Sequence, residues 1–205
     1  MLSVADLTTR APTWRKLLEV RTNVFAAGKE FLQLQLISED YVLTRIGNEA
    51  IAFFREGGRR YTVDRAQKVL RPLDPASLWT TSLTRTRVTV SLQDGPVEVD
   101  GYACRRLTIE SRLGLVTLST ESYYASFGGI ERTPLHQERV LSAPDGYPAH
   151  LLGPSELLVY SATRVRQGDF EQMQTSRLSS LRADPDGGDD ELELLTYPRT
   201  DAIHV

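Results

Sequence analysis

The sequence predicts one mostly antiparallel β-domain. Apolar and polar residues alternate over many short runs, as in Leu32-Gln-Leu-Gln-Leu36, which is the period of a strand with one buried face. Turn pairs such as Gly57-Gly58 and Asp100-Gly101 recur between the runs. Helical spacing is almost confined to one early segment.

That segment is Val4 to Leu18, where Trp14, Leu17 and Leu18 fall at i, i+3 and i+4 and Thr13 is placed to cap after Pro12. A short helix and the start of a strand both fit it. Residues 19–73 then read as a meander of consecutive short strands. Glu39-Asp40 turns into Tyr41 to Ile46, Gly47-Asn48 into Ala50 to Phe54, and Gly57-Gly58 into Arg60 to Val63, with a further strand at Lys68 to Leu73. Asp74 as N-cap and Pro75 at the first helical position predict one or two helical turns over Pro75 to Leu83.

Alternation resumes at Val88, Val90 and Leu92, and Asp94-Gly95 and Asp100-Gly101 read as turns. Tyr102 to Glu110 and Leu113 to Thr120 pair across Ser111-Arg112, with the β-branched and aromatic content of strands. Ser122 to Gln137 is less regular. A short helix carrying Tyr123, Tyr124 and Phe127 and ended by Gly128-Gly129 fits there. Asp145 to Pro148 is a turn. Leu157, Val159, Ser161, Thr163 and Val165 share one face of a long strand closed by Gln167 to Phe170. The total is about nine or ten strands. Residues 1–183 form the expected single domain, and 184–205 an acidic flexible linker and tail, since Asp184 to Asp190 contains no apolar residue.

Bulk properties restrict the functions. With 205 residues, 40% of them hydrophobic, the chain can bury one continuous core. Twenty-four basic against 27 acidic residues leave no general basic face for nucleic acid, and the arginines between Arg55 and Arg65 read as solvated strand edges. Cys104 is the single cysteine, so no intramolecular disulfide forms, and its alternating context makes it a small buried hydrophobe. No run of about 18 apolar residues exists, so no membrane span is expected. The first residues lack a basic stretch followed by an apolar one. Either the chain works in the cytoplasm, or a leader was removed and Met1 added.

Chemistry-bearing motifs are missing. His136, His150 and His204 are not at metal-ligand spacing, and no nucleophile elbow, P-loop or dinucleotide fingerprint occurs. The carboxylates Glu39-Asp40 and Asp189 to Glu191 are adjacent along the chain and do not converge on one proton. No catalytic residue, metal or cofactor is assigned, and an enzyme built on His136 or His150 with a neighbouring acid ranks last. What remains is shape. An alternating sheet with few helices either curls into a barrel or half-barrel, or leaves a concave apolar surface for a ligand or partner.

The runs Tyr41 to Ile46, Ala50 to Phe54, Tyr61 to Asp64 and Lys68 to Leu70 form a recurring pattern with Val97-Glu-Val-Asp-Gly-Tyr-Ala-Cys-Arg-Arg106, Asp145-Gly-Tyr-Pro148 and Val159 to Phe170. Together they resemble the LolA/LppX-like lipoprotein-carrier superfamily, especially its DUF4412-type relatives, over about residues 19–175. The resemblance implies an unclosed antiparallel half-barrel, with one or two short helices as lid over an apolar cavity. It implies a non-enzymatic carrier of acyl chains or lipidated proteins in the periplasm or cell envelope. Leu78 and Trp79 would belong to the lid, and Leu32, Leu34, Leu36, Phe53 and Val159 to the cavity side. The missing leader or lipobox cysteine and the acidic tail depart from that pattern. The alternative is an assembly module that docks a protein partner through its sheet face or edge.

Overall fold

The computed structural model describes residues 17–73, 87–127, 151–153, 155–183 and 192–200. Residues 4–16 of the expected N-terminal segment, the lid with Leu78 and Trp79, the three histidines and the acidic run 184–190 lie outside the described residues, and Leu18 at the end of that segment opens the first strand.

Eleven strands form one antiparallel sheet: β1 Leu18–Ala26, β2 Lys29–Ile37, β3 Tyr41–Ile46, β4 Glu49–Phe54, β5 Arg59–Asp64, β6 Val69–Pro72, β7 Arg87–Val99, β8 Tyr102–Leu113, β9 Val116–Ser126, β10 Glu156–Gln167 and β11 Phe170–Ala183. Their order is β6-β5-β4-β3-β2-β1-β11-β10-β9-β8-β7. Two meanders, β1–β6 and β7–β11, are thus sewn together at a central β1–β11 seam, where Val20 faces Leu181 and Phe25 faces Thr175. The ladder ends at β6 and β7, so the sheet is unclosed.

The turns expected at Gly47-Asn48 and Asp100-Gly101 form with Gly47 and Gly101 at positive φ, and the β1–β2 hairpin, which the sequence reading did not single out, turns at Gly28 in the same way. Other expectations change. The β8–β9 reversal falls at Gly114-Leu115 rather than Ser111-Arg112. Gly114 takes the left-handed backbone that the turn needs, φ +57°. Tyr123 and Tyr124 lie in β9, not on a helix, and pack on opposite faces of it into different clusters. Asp94-Gly95 does not reverse the chain. It sits in a register shift between Gln93 and Val97, inside a 13-residue β7. A similar irregularity between Leu158 and Tyr160 breaks the single face expected for β10.

Curling brings distant strands together. Leu18 and Val20 (β1), Ile37, Val42 and Phe53 (β2–β4) share one cluster with Cys104, Ala125, Val159 and Leu181 (β8–β11). These positions all lie toward the end of the sheet that carries the β2–β3, β4–β5 and β7–β8 turns. We call it the closed end. The other face of β2–β6 is covered differently. Leu34, Leu36, Leu43, Ala52, Phe54 and Leu70 pack with Leu194 from a C-terminal 3-10 turn, Leu194–Thr196.

The segment expected as a tail therefore docks in part on the sheet. The Leu70 N–H donates to the Pro198 carbonyl at 2.9 Å, and the Thr200 N–H donates to the Leu70 carbonyl at 2.9 Å. This parallel bridge occupies the β6 edge. The Arg199 guanidinium sits 3.9 Å from the Phe54 ring centroid. An acidic composition between 184 and 190 does not prevent the apolar residues Leu192, Leu194, Leu195 and Tyr197 from finding the sheet.

Candidate binding site at the hairpin end

At the end opposite the packed cluster, five hairpin turns lie side by side: β1–β2, β3–β4, β5–β6, β8–β9 and β10–β11. Seven large apolar side chains among the described residues are exposed: Phe25, Phe31, Leu32, Ile46, Leu115, Phe170 and Met173. Each lies within four residues of one of these turns. Exposed apolar residues scattered singly need no explanation, but their confinement to one end does.

Register assigns faces here, because β1–β2 and β2–β3 pair without irregularity. Val24 opposes Phe31, and Gln33 opposes Ile46. With Val20, Thr22 and Gln35 they share the face of Leu18, Ile37 and Val42, which is the concave side. Phe25, Leu32, Leu34 and Leu36 face the other way.

The predicted site residues are therefore divided. Phe53 and Val159 are fully buried in the closed-end cluster. Leu34 and Leu36 belong to the cluster on the opposite face of the sheet. Leu32 is on that opposite face too, and 46% exposed. An alternation of period two identifies residues sharing a face but not which face is concave, and that is decided by the curl. Phe31 and Ile46 were missed because each stands next to a turn, beyond the clean alternation.

Above the packed cluster the concave side holds a small groove of about 60 Å³, lined by Val20, Thr22, Gln33, Gln35, Leu157, Leu158 and Ser176. That is far below the roughly 300–1,000 Å³ of a small-molecule pocket. The closed-end cluster fills the space below this groove, and the concave face runs on toward the turns as a shallow trough that bears Phe31 and Ile46. A larger open groove, of about 630 Å³, lies at the closed end between Asp40, Tyr41, Phe54, Arg55, Glu56 and Arg199. Four of those six are charged.

A polar and aromatic strip crosses β8–β11. Arg177 Nε donates to Asp100 Oδ2 at 2.8 Å, and Arg177 pairs in register with Tyr160. The Tyr160 ring lies 6.1 Å from that of Tyr123. The Tyr123 hydroxyl donates to Glu121. Arg106 Nε lies 2.8 Å from Glu121 Oε1, an ion-pair distance without hydrogen-bond alignment.

The bond from Arg177 lowers the Asp100 carboxyl. The bond to Glu121, aided by burial, raises the Tyr123 phenol. Burial also pushes the Cys104 thiol up, away from the thiolate. Each of these three shifts leads away from neutrality.

No family model matches the chain, and no curated protein matches it. Among solved structures, the chain is similar to that titled "Structure of PNGF-II in C2 space group", with 12% identity and a TM-score of 0.47 over 91% of this chain, which spans only 31% of that one. It is similar to a putative outer membrane lipoprotein-sorting protein domain from Vibrio parahaemolyticus, with 7% identity and a TM-score of 0.35 over 93% of this chain and 96% of that one. A DUF1329 family protein from Desulfovibrio piger gives 11% identity and a TM-score of 0.36 over 91% and 93%.

Proposed function

We propose that the chain is a non-enzymatic binding protein that takes an apolar ligand, an acyl chain or the lipid of a lipidated protein, in the concave trough at its hairpin end. The observation that carries this reading is the pair Phe31 and Ile46. Both are large and apolar, both are exposed, at 39% and 42%, and both stand on the concave face. Phe53 and Val159 close the trough from below, as buried floor. An open trough leaves part of the ligand in water, so micromolar affinity is the natural expectation, about −8 kcal/mol. A cell-envelope location belongs to the same reading.

The test is titration with a dansyl-labelled fatty acid. One saturable site is expected, and Phe31→Asp or Ile46→Asp should weaken it about tenfold or more, since each puts a charge against the chain. No saturable binding by the folded wild type, or unchanged binding by both variants, would reject the proposal. Docking of a protein through a strand edge has less support. The β6 edge is occupied by residues 198–200, and the β7 edge carries Pro96 within its register shift, features that discourage strand addition.

A further inference from the structure

A ligand in the trough covers only concave-side residues. Phe25 and Leu32 point away from it. So does Met173, since β11 pairs Thr175 with Phe25 and Met173 lies two residues on. Phe170 and Leu115 stand at turns, 62% and 82% exposed. The hairpin end is thus apolar on both faces and at its tips. A rigid partner or a second copy covers one face of a sheet. Two faces and the tips together are matched by a fluid medium that surrounds them.

Charge has the same polarity. Within four residues of the five turns stand eight basic and six acidic side chains, a net +2 in a chain whose total is −3. Lys29, Lys68, Arg112 and Arg166 are among them. The four-residue depth of the fringe is about 14 Å at the rise of a strand. That is enough to pass the headgroup layer, where interfacial segments bury roughly 5–10 Å.

From this we infer that the hairpin end docks end-on into the surface of an anionic phospholipid bilayer. The tips Leu115 and Phe170 enter the acyl boundary, and Lys29 and Arg166 meet the headgroups. This goes beyond ligand binding and does not depend on it, because it uses residues that a ligand in the trough leaves uncovered.

The test is co-sedimentation of the full chain with phosphatidylglycerol/phosphatidylcholine vesicles, run beside the fatty-acid titration. The wild type should sediment with them, and about tenfold less with phosphatidylcholine alone. The L115S/F170S pair should lose at least tenfold of vesicle binding, with unchanged far-UV circular dichroism and unchanged fatty-acid affinity. K29E/R166E should lose the preference for anionic vesicles. A wild type that stays in the supernatant, or an L115S/F170S chain that binds vesicles normally, would overturn the inference. So would a concentration-dependent dimer in light scattering that L115S/F170S abolishes, because the fringe would then belong to a second copy. Loss of fatty-acid binding with vesicle binding intact would remove the trough and leave the docking.

Discussion

Along the β1–β11 seam the same two strands live in two environments. At the closed end Val20 faces Leu181, with 3% and 4% of their surfaces exposed. Five residues further on Phe25 faces Thr175, and Phe25 is 48% exposed. Composition does not separate these stretches; cover does. The curl folds β8–β11 over the first of them, and no described element covers the second. One sheet thus packs one end as core and leaves large apolar side chains exposed at the other.

Substitutions should separate the two ends by size of effect. Phe53→Ala removes a fully buried ring that joins both meanders and should cost about 3–5 kcal/mol in urea unfolding. Phe170→Ala at a hairpin tip should cost less than about 0.5 kcal/mol. Comparable losses would erase the distinction. Leu194→Ala, which takes away the side chain that seats the C-terminal segment, should cost about 2–3 kcal/mol. Hydrogen exchange at the Leu70 amide should speed up with it, because that N–H bonds to Pro198.

Ion pairs should divide in the same way. Glu156, with its side chain only 5% exposed, accepts from Arg105 Nη1 at 3.0 Å and from the Gly153 N–H. Arg105→Ala leaves that carboxylate short of a partner. Since the Arg105 side chain is 35% exposed, water offsets part of the loss, and about 1–2 kcal/mol is expected. Arg164–Glu171 at the hairpin end is exposed on both sides, and Arg164→Ala should cost less than about 0.5 kcal/mol. A double-mutant cycle on each pair checks this.

The smallest effect is in pH. The Asp100 carboxyl is held below its ordinary value of 3.8 by the bond from Arg177. A carboxyl lowered on folding adds stability that is present above its unfolded value and is lost as the pH falls through its folded one. Stability should therefore decline in acid below about pH 4, slightly less so in Asp100→Asn. An identical acid profile for wild type and variant would show that the pair adds nothing.

Much of this fold was legible in the sequence. Alternation and turn pairs located β2–β6 closely, because short apolar runs there are separated by turn residues such as Glu39-Asp40, Gly47-Asn48 and Gly57-Gly58. β11 was not legible. Phe170 to Ala183 contains Gln, Ser, Thr and Arg at most positions, and it is a strand because it is held between β1 and β10. The β8–β9 turn was misplaced by three residues, since Leu113 closes β8 by pairing with Val116 instead of opening the next strand. For the candidate site, alternation grouped residues by face but did not say which face is concave: Phe53 and Val159 pack in the closed-end cluster, and Leu34 and Leu36 in the cluster on the other face, because only the direction of curl distinguishes one alternating face from the other.

Hydrogen–deuterium exchange with and without a saturating fatty acid shows whether the ligand sits at the hairpin end, above a filled closed end. Slowed exchange in Val24 to Gln35 and around Ile46, with no change near Phe53, Cys104 and Val159, is the predicted footprint. Protection confined to the groove between Asp40 and Arg199, or spread through the closed end, would contradict the account.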